Sequence, residues 1–203
     1  MIVGATLVTV LRHGEVAGRR HVYRGALDEG LTEHGARQVR AAAMRLAEPP
    51  YDQIACSPYR RCQEIARRYA EESDLPLTPI DAFREMAFGT WEGMTPEEAE
   101  RCDPTLHHMF RAMADGVAPP GGETVMQLQA RVVAGWDAWL QHSAGGHRLL
   151  VTHAGVMRVL LLHLLGMPSS HAYRIALPEA AHFSVSVLLG EAPVLLSINT
   201  CAD

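Results

Sequence analysis

The sequence has no apolar run long enough to cross a membrane. Nothing approaches the roughly 18 uninterrupted apolar residues of a span, and Leu160-Leu161-Leu162-His163-Leu164-Leu165 is short and broken by a histidine. Cysteine is scarce, with 4 in 203 residues (Cys56, Cys62, Cys102 and Cys201) and none in a CxxC pair. That excludes a disulfide scaffold or zinc ribbon and predicts reduced thiols. The N-terminus lacks the basic start, long apolar core and small-residue cleavage site of a secretory signal, so a cytoplasmic location is expected. Positive charge is not in excess: 18 Lys+Arg against 23 Asp+Glu give a net charge of -5, the wrong sign for a general nucleic-acid surface. Also missing are the phosphate-cradling GxxxxGK(S/T) loop, the GxSxG elbow and the HExxH zinc motif. The 11 histidines include no helical pair at ligand spacing with a carboxylate. His107 and His108 are adjacent rather than four apart, so no metal and no cofactor are expected.

What is present is an alternation of strand and helix patterns without repeats or low-complexity stretches. Leu7-Val8-Thr9-Val10-Leu11 is a short aliphatic and β-branched run, the mark of a buried strand, and it stops at Arg12-His13-Gly14-Glu15. Thr32 is a helix cap ahead of a stripe of Ala36, Val39, Ala43 and Leu46. Residues 51–56 read as a second strand, and Ser57-Pro58 as the cap and first position of a second helix. Leu75 to Ile80, with prolines at 76 and 79, suits a short edge strand. Thr95-Pro96-Glu97-Glu98 opens a further helix, and Val125 to Leu140 is a long amphipathic one. Arg148-Leu149-Leu150-Val151-Thr152 is a buried strand that again ends in a histidine, His153, followed by Ala154 and Gly155. Phe183 to Leu189 and Val194 to Ile198 form a hairpin around Gly190. These patterns predict a three-layer α/β/α sandwich: a mostly parallel sheet, helices on both faces and an antiparallel edge strand or hairpin near the C-terminus. Residues 1–203 are expected to form one domain, with a short helical excursion at about 93–122 over the site.

Strand C-termini share one rim in such a sheet, and ligands bind there. Arg12, His13 and His153 are therefore expected to meet although the histidines are 140 positions apart (153 − 13). Arg60 and Arg61 in the first turn of a helix are electrostatically unfavourable unless an anion binds at that end. Two imidazoles and several guanidiniums suit a tetrahedral phosphoryl group, which needs cations around its oxygens and a nucleophile to carry it. Glu85 and Glu92 both lie in the Phe- and Gly-rich segment after Phe83, and either could donate a proton to a leaving oxygen.

Four motifs in register resemble the histidine phosphatase superfamily, the phosphoglycerate-mutase-like proteins: Leu11-Arg12-His13-Gly14-Glu15; Cys56-Ser57-Pro58-Tyr59-Arg60-Arg61; Glu85 through Gly93; and Val151-Thr152-His153-Ala154-Gly155. Residues 23–35 and Gly121-Gly122-Glu123-Thr124 extend the likeness over nearly the whole chain. The resemblance implies that His13 is the nucleophile, that Arg12, Arg61 and His153 hold the phosphoryl oxygens, and that Glu85 is the acid and then the base. Arg24 and Ala154 are candidate substrate contacts. The family often has Thr and Asn where this sequence has Val16 and Arg19, so Arg19, Arg20 or Arg24 is expected to shape the pocket instead. The short excursion and the Phe-Gly-x-Trp-Glu-Gly segment look most like the subgroup of α-ribazole phosphatase and broad-specificity phosphatases. The expectation is a metal-independent phosphomonoester phosphatase with a phosphohistidine intermediate and a small phosphorylated substrate. It has no nucleic-acid or membrane partner and is a monomer or homodimer. Mutase-type phosphoryl transfer, a non-catalytic phospho-ligand module and a metal hydrolase are the alternatives.

Overall fold

The computed structural model of the protein describes residues 4–114, 116–141 and 145–199. Cys201, expected to be a reduced thiol, lies outside them; Cys56, Cys62 and Cys102 are free thiols. Six strands form one sheet: β1 (Thr6–Arg12), β2 (Gln53–Cys56), β3 (Leu77–Pro79), β4 (His147–Thr152), β5 (His182–Val187) and β6 (Val194–Asn199). Their order is β3-β2-β4-β1-β5-β6. The first four neighbours run parallel, and the β5–β6 hairpin joins β1 antiparallel.

Side-chain alternation along the central strands explains the layers. Val8 and Val10 of β1 and Leu150 of β4 face one way, into a cluster with the helices α5 (Val125–Leu140) and α6 (Ala154–Leu164). Leu11, Leu149 and Val151 face the other way, into a cluster with α1 (Glu33–Arg45) and α2 (Arg60–Ser73). A strand period of two thus supplies both cores at once. β4 lies between two parallel neighbours and is buried at every position. Two short helices, α3 (Pro96–Cys102) and α4 (Pro104–Arg111), fill the segment before the Pro119–Gly122 loop; Thr95 and Glu98 form the capping box expected there.

Two local expectations are corrected. The helix after β2 starts at Arg60, not at Pro58, and Tyr59 at its N-cap position makes no side-chain cap bond. Ser57 is instead within 2.7 Å of His153 Nε2 through its hydroxyl. No outside anion is needed to explain Arg60: Asp28 already accepts its backbone N–H at 2.7 Å, and its guanidinium pairs with exposed Glu64. In the hairpin, Val194, Leu196 and Ile198 of edge strand β6 are exposed.

The site loop after β1 is clamped by α1 through two glycines. A Cβ on Gly35 would stand 2.1 Å from the Glu15 carbonyl oxygen, and one on Gly14 would stand 2.2 Å from that of Gly35. Backbone lies on both sides, so neither clash is relieved by rotating a side chain. Gly35→Ala is expected to destabilise the protein by about 1–3 kcal/mol, read as a lower urea midpoint.

Candidate active site

The C-terminal ends of β1, β2 and β4 meet on one rim, because these strands are parallel. Above them opens a cavity of about 500 Å³ lined by Arg12, His13, Arg61, Glu85 and Ala154. The structure therefore brings together residues spread over most of the chain.

His13 is buried, 6% exposed. Its Nδ1 lies 2.8 Å from the Gly14 carbonyl oxygen, which can only accept, so Nδ1 carries the proton. The lone pair of the neutral ring is then on Nε2. Burial first, then the nearby charges of Arg12 and Arg61, hold the His13 pKa well below its usual 6.5. His153 is fully buried with its ring centroid 5.3 Å from that of His13. Its Nδ1 accepts from Arg61 Nε at 3.2 Å, so its Nε2–H donates to Ser57 Oγ. Burial and Arg61 hold its pKa well below 6.5 as well. His153 is not on the cavity wall; it stands behind His13, with both nitrogens engaged.

Keeping two histidines neutral has a cost at low pH. The unfolded chain binds more protons than the folded one below the ordinary histidine pKa of 6.5. Stability is therefore full above that value and falls as pH drops through it, by up to about 1.4 kcal/mol per pH unit for each histidine. Urea denaturation between about pH 8 and about pH 5 checks this, and a constant midpoint would contradict it.

Arg61 is fully buried, donating to Leu27 O at 2.7 Å, Gly25 O at 2.8 Å and His153. It ties the loop after β1 to the start of α2. Arg12 donates to Leu177 O at 2.5 Å, while its buried Nε has no hydrogen-bond partner among the described residues.

Glu85 is half-buried, accepting from Met86 N at 3.0 Å and from Gly155 N at 3.2 Å. A Cβ on residue 155 would lie 2.2 Å from Glu85 Oε1, so any larger residue there would displace the Glu85 carboxylate. Arg131 fixes the backbone beneath, donating to the carbonyls of Ala82, Arg84 and Glu85 while forked onto Glu123. The other candidate acid, Glu92, accepts from Ala26 N and Phe88 N at 2.9 and 3.2 Å and does not line the cavity. It joins two loops.

Of the three arginines after the first motif, Arg20 and Arg24 line the cavity, paired with Glu15 and Glu29. Arg19 points away and is forked onto Glu98 at 2.7 and 2.8 Å. Sequence reasoning missed Arg111, Arg158, Tyr173 and Glu179, all on the cavity wall. Only Arg158 left a signal: one helical turn beyond Ala154, it shares the face at the start of α6. Among the described residues no cluster of three metal-ligating side chains occurs, and no helix is long and apolar enough to cross a membrane. His107 instead bonds the Tyr23 hydroxyl at 2.9 Å.

Comparison with known proteins finds relatives over nearly the whole chain. A "Bifunctional protein" of Mycobacterium tuberculosis is 35% identical over 178 residues, covering 87% of this chain but only 49% of that protein; this chain spans about half its length. The adenosylcobalamin/α-ribazole phosphatase of Salmonella typhimurium is 27% identical over 185 residues, covering 89% of this chain and 90% of its own. The solved mycobacterial glucosyl-3-phosphoglycerate phosphatase superposes with a TM-score of 0.84 at 26% identity, covering 98% of this chain and 100% of that one. Residues 8–200, nearly the whole sequence, match the family described as "Histidine phosphatase superfamily (branch 1)", and the chain belongs to it.

Proposed function

We propose that the protein is a metal-independent phosphomonoester phosphatase that passes the phosphoryl group through His13. The observation that carries this reading is a neutral, buried histidine whose Nδ1–H is fixed on Gly14 O, with Arg12 and Arg61 beside it and Glu85 on the same cavity wall. The lone pair of His13 Nε2 attacks phosphorus, and the P–O bond to the leaving group breaks as Glu85, in its acid form, gives that oxygen a proton. Arg12 and Arg61 hold the non-bridging oxygens where charge gathers. Glu85, now a carboxylate, takes a proton from water; the water oxygen attacks phosphorus, the P–N bond breaks, and inorganic phosphate leaves with His13 neutral again. His153 holds Arg61 in place and reaches a phosphoryl oxygen only by releasing Ser57. Arg24 and the start of α6 at Ala154 border the substrate.

Water, rather than a second phosphorylated acceptor, completes the cycle, since exposed Arg20 and Arg111 on the cavity wall leave the site open to solvent. The relatives' names point to small phosphorylated metabolites as substrates. One chain supplies every group, residues 1–203 act as a single domain, and the reduced thiols fit a cytoplasmic setting. Hydrolysis of p-nitrophenyl phosphate with and without EDTA tests the reading. Equal activity in both is expected; chelator-sensitive activity, or none with any phosphomonoester, would overturn it.

A further inference from the structure

Six of the cavity-lining residues are arginines, and the proposed chemistry uses only part of this charge. Arg20 and Arg24 are matched by Glu15 and Glu29, and Arg12 and Arg61 flank His13. Arg111 and Arg158 are left over. They come from different elements, the end of the Pro104–Arg111 helix and the second turn of α6. Both lie over the ring of Tyr173, with guanidinium carbons 4.0 and 4.8 Å from its centroid. Neither makes an ion pair among the described residues, and the Nε of Arg158 is buried without a hydrogen-bond partner. A guanidinium over an aromatic ring is attracted to its face, but two like charges on one ring repel each other. An anion held by both guanidiniums offsets that repulsion. The chain contains no lysine, so all 18 of its basic side chains are planar forks suited to bidentate oxyanions.

We propose that Arg111 and Arg158, stacked on Tyr173, form a second anion subsite. It selects phosphomonoesters whose leaving group carries a further carboxylate or phosphate. This rests on the phosphatase reading and adds to it the chemical class of the leaving group. Tyr23 and Phe88, also on the wall, line the same cavity with aromatic surface for the carbon skeleton.

The test compares kcat/KM for two pairs whose members differ by one anionic group: 3-phosphoglycerate with glycerol 3-phosphate, and fructose 1,6-bisphosphate with fructose 6-phosphate. The wild type should prefer the doubly anionic member of at least one pair, and the pair preferred identifies carboxylate or phosphate as the ligand. In Arg158→Gln the preference ratio should fall about ten- to hundredfold, mostly through KM, and Arg158→Lys should recover part of it. Arg111→Gln should lower the same ratio. Using a ratio removes any general loss of folded protein. Absence of preference in both pairs, or a ratio unchanged in Arg158→Gln, overturns the subsite while leaving p-nitrophenyl phosphate hydrolysis to support the phosphatase. If no phosphomonoester is hydrolysed at all, the phosphatase reading fails and calorimetric binding decides the subsite. Tighter binding of the doubly anionic ligand, lost in Arg158→Gln, supports it; equal binding overturns it.

Discussion

His13→Ala is expected to lower phosphomonoester hydrolysis by about 10⁴-fold or more while the protein stays folded. The two halves of that expectation have separate physical grounds. Without His13 the neighbouring imidazole cannot take its place: His153 sits behind, with Ser57 and Arg61 on its two nitrogens. The remaining guanidiniums can bind a phosphate ester but cannot carry the group covalently. The fold, in contrast, loses one short-range bond to Gly14 and relieves a desolvated imidazole. Steady-state kinetics and a urea melt on the same preparation check both; residual activity within tenfold of wild type would remove His13 from the proposed role.

The second large effect is on Glu85, and it depends on the leaving group. Glu85→Gln is nearly isosteric, and its single amide oxygen keeps one of the two N–H bonds that Met86 and Gly155 give to separate carboxylate oxygens, so the loop should hold with the loss of one bond. It cannot give a proton to an alkoxide. Alkyl phosphates should lose about 10²–10⁴-fold in kcat, whereas p-nitrophenyl phosphate, whose leaving phenolate needs no proton, should lose far less in the first step. A burst of p-nitrophenolate followed by slow turnover is then expected, because activation of water by residue 85 is still missing. Glu92→Gln makes the contrast: its carboxylate joins Ala26 to Phe88, so the change should appear in stability rather than in leaving-group dependence. Equal losses for alkyl and aryl esters in Glu85→Gln would argue that the residue positions groups instead of transferring protons.

These two carboxylates also show where sequence reasoning runs out. Both lie in one Phe- and Gly-rich segment, and no period or cap separates them. They differ by what comes from far along the chain: Gly155, with no Cβ, leaves room for Glu85, while the turn at Gly25 and Ala26 takes up Glu92. The strand ends were easier to read. Aliphatic runs stopping at Arg12-His13 and at His153 already imply parallel strands with a shared rim, because the alternation of Val8, Val10 and Leu11 can be satisfied only between two helical layers. Placing His153 behind the cavity was not legible, since it depends on the Ser57 hydroxyl, which the sequence presents as an ordinary helix cap. Arg111, Tyr173 and Glu179 lie in a helix end, a 3-10 turn and a loop whose local sequence carries no periodic signal. Only tertiary packing makes them neighbours of His13.

The proposed phosphohistidine can be observed directly. Wild-type protein mixed with excess p-nitrophenyl phosphate, quenched within milliseconds and analysed by intact-protein and peptide mass spectrometry at alkaline pH, should carry one phosphoryl group on His13. The group should be stable to base, labile to acid and absent from His13→Ala. A phosphoryl group on another residue, or rapid turnover with no adduct at any quench time in wild type and in Glu85→Gln, would contradict the account.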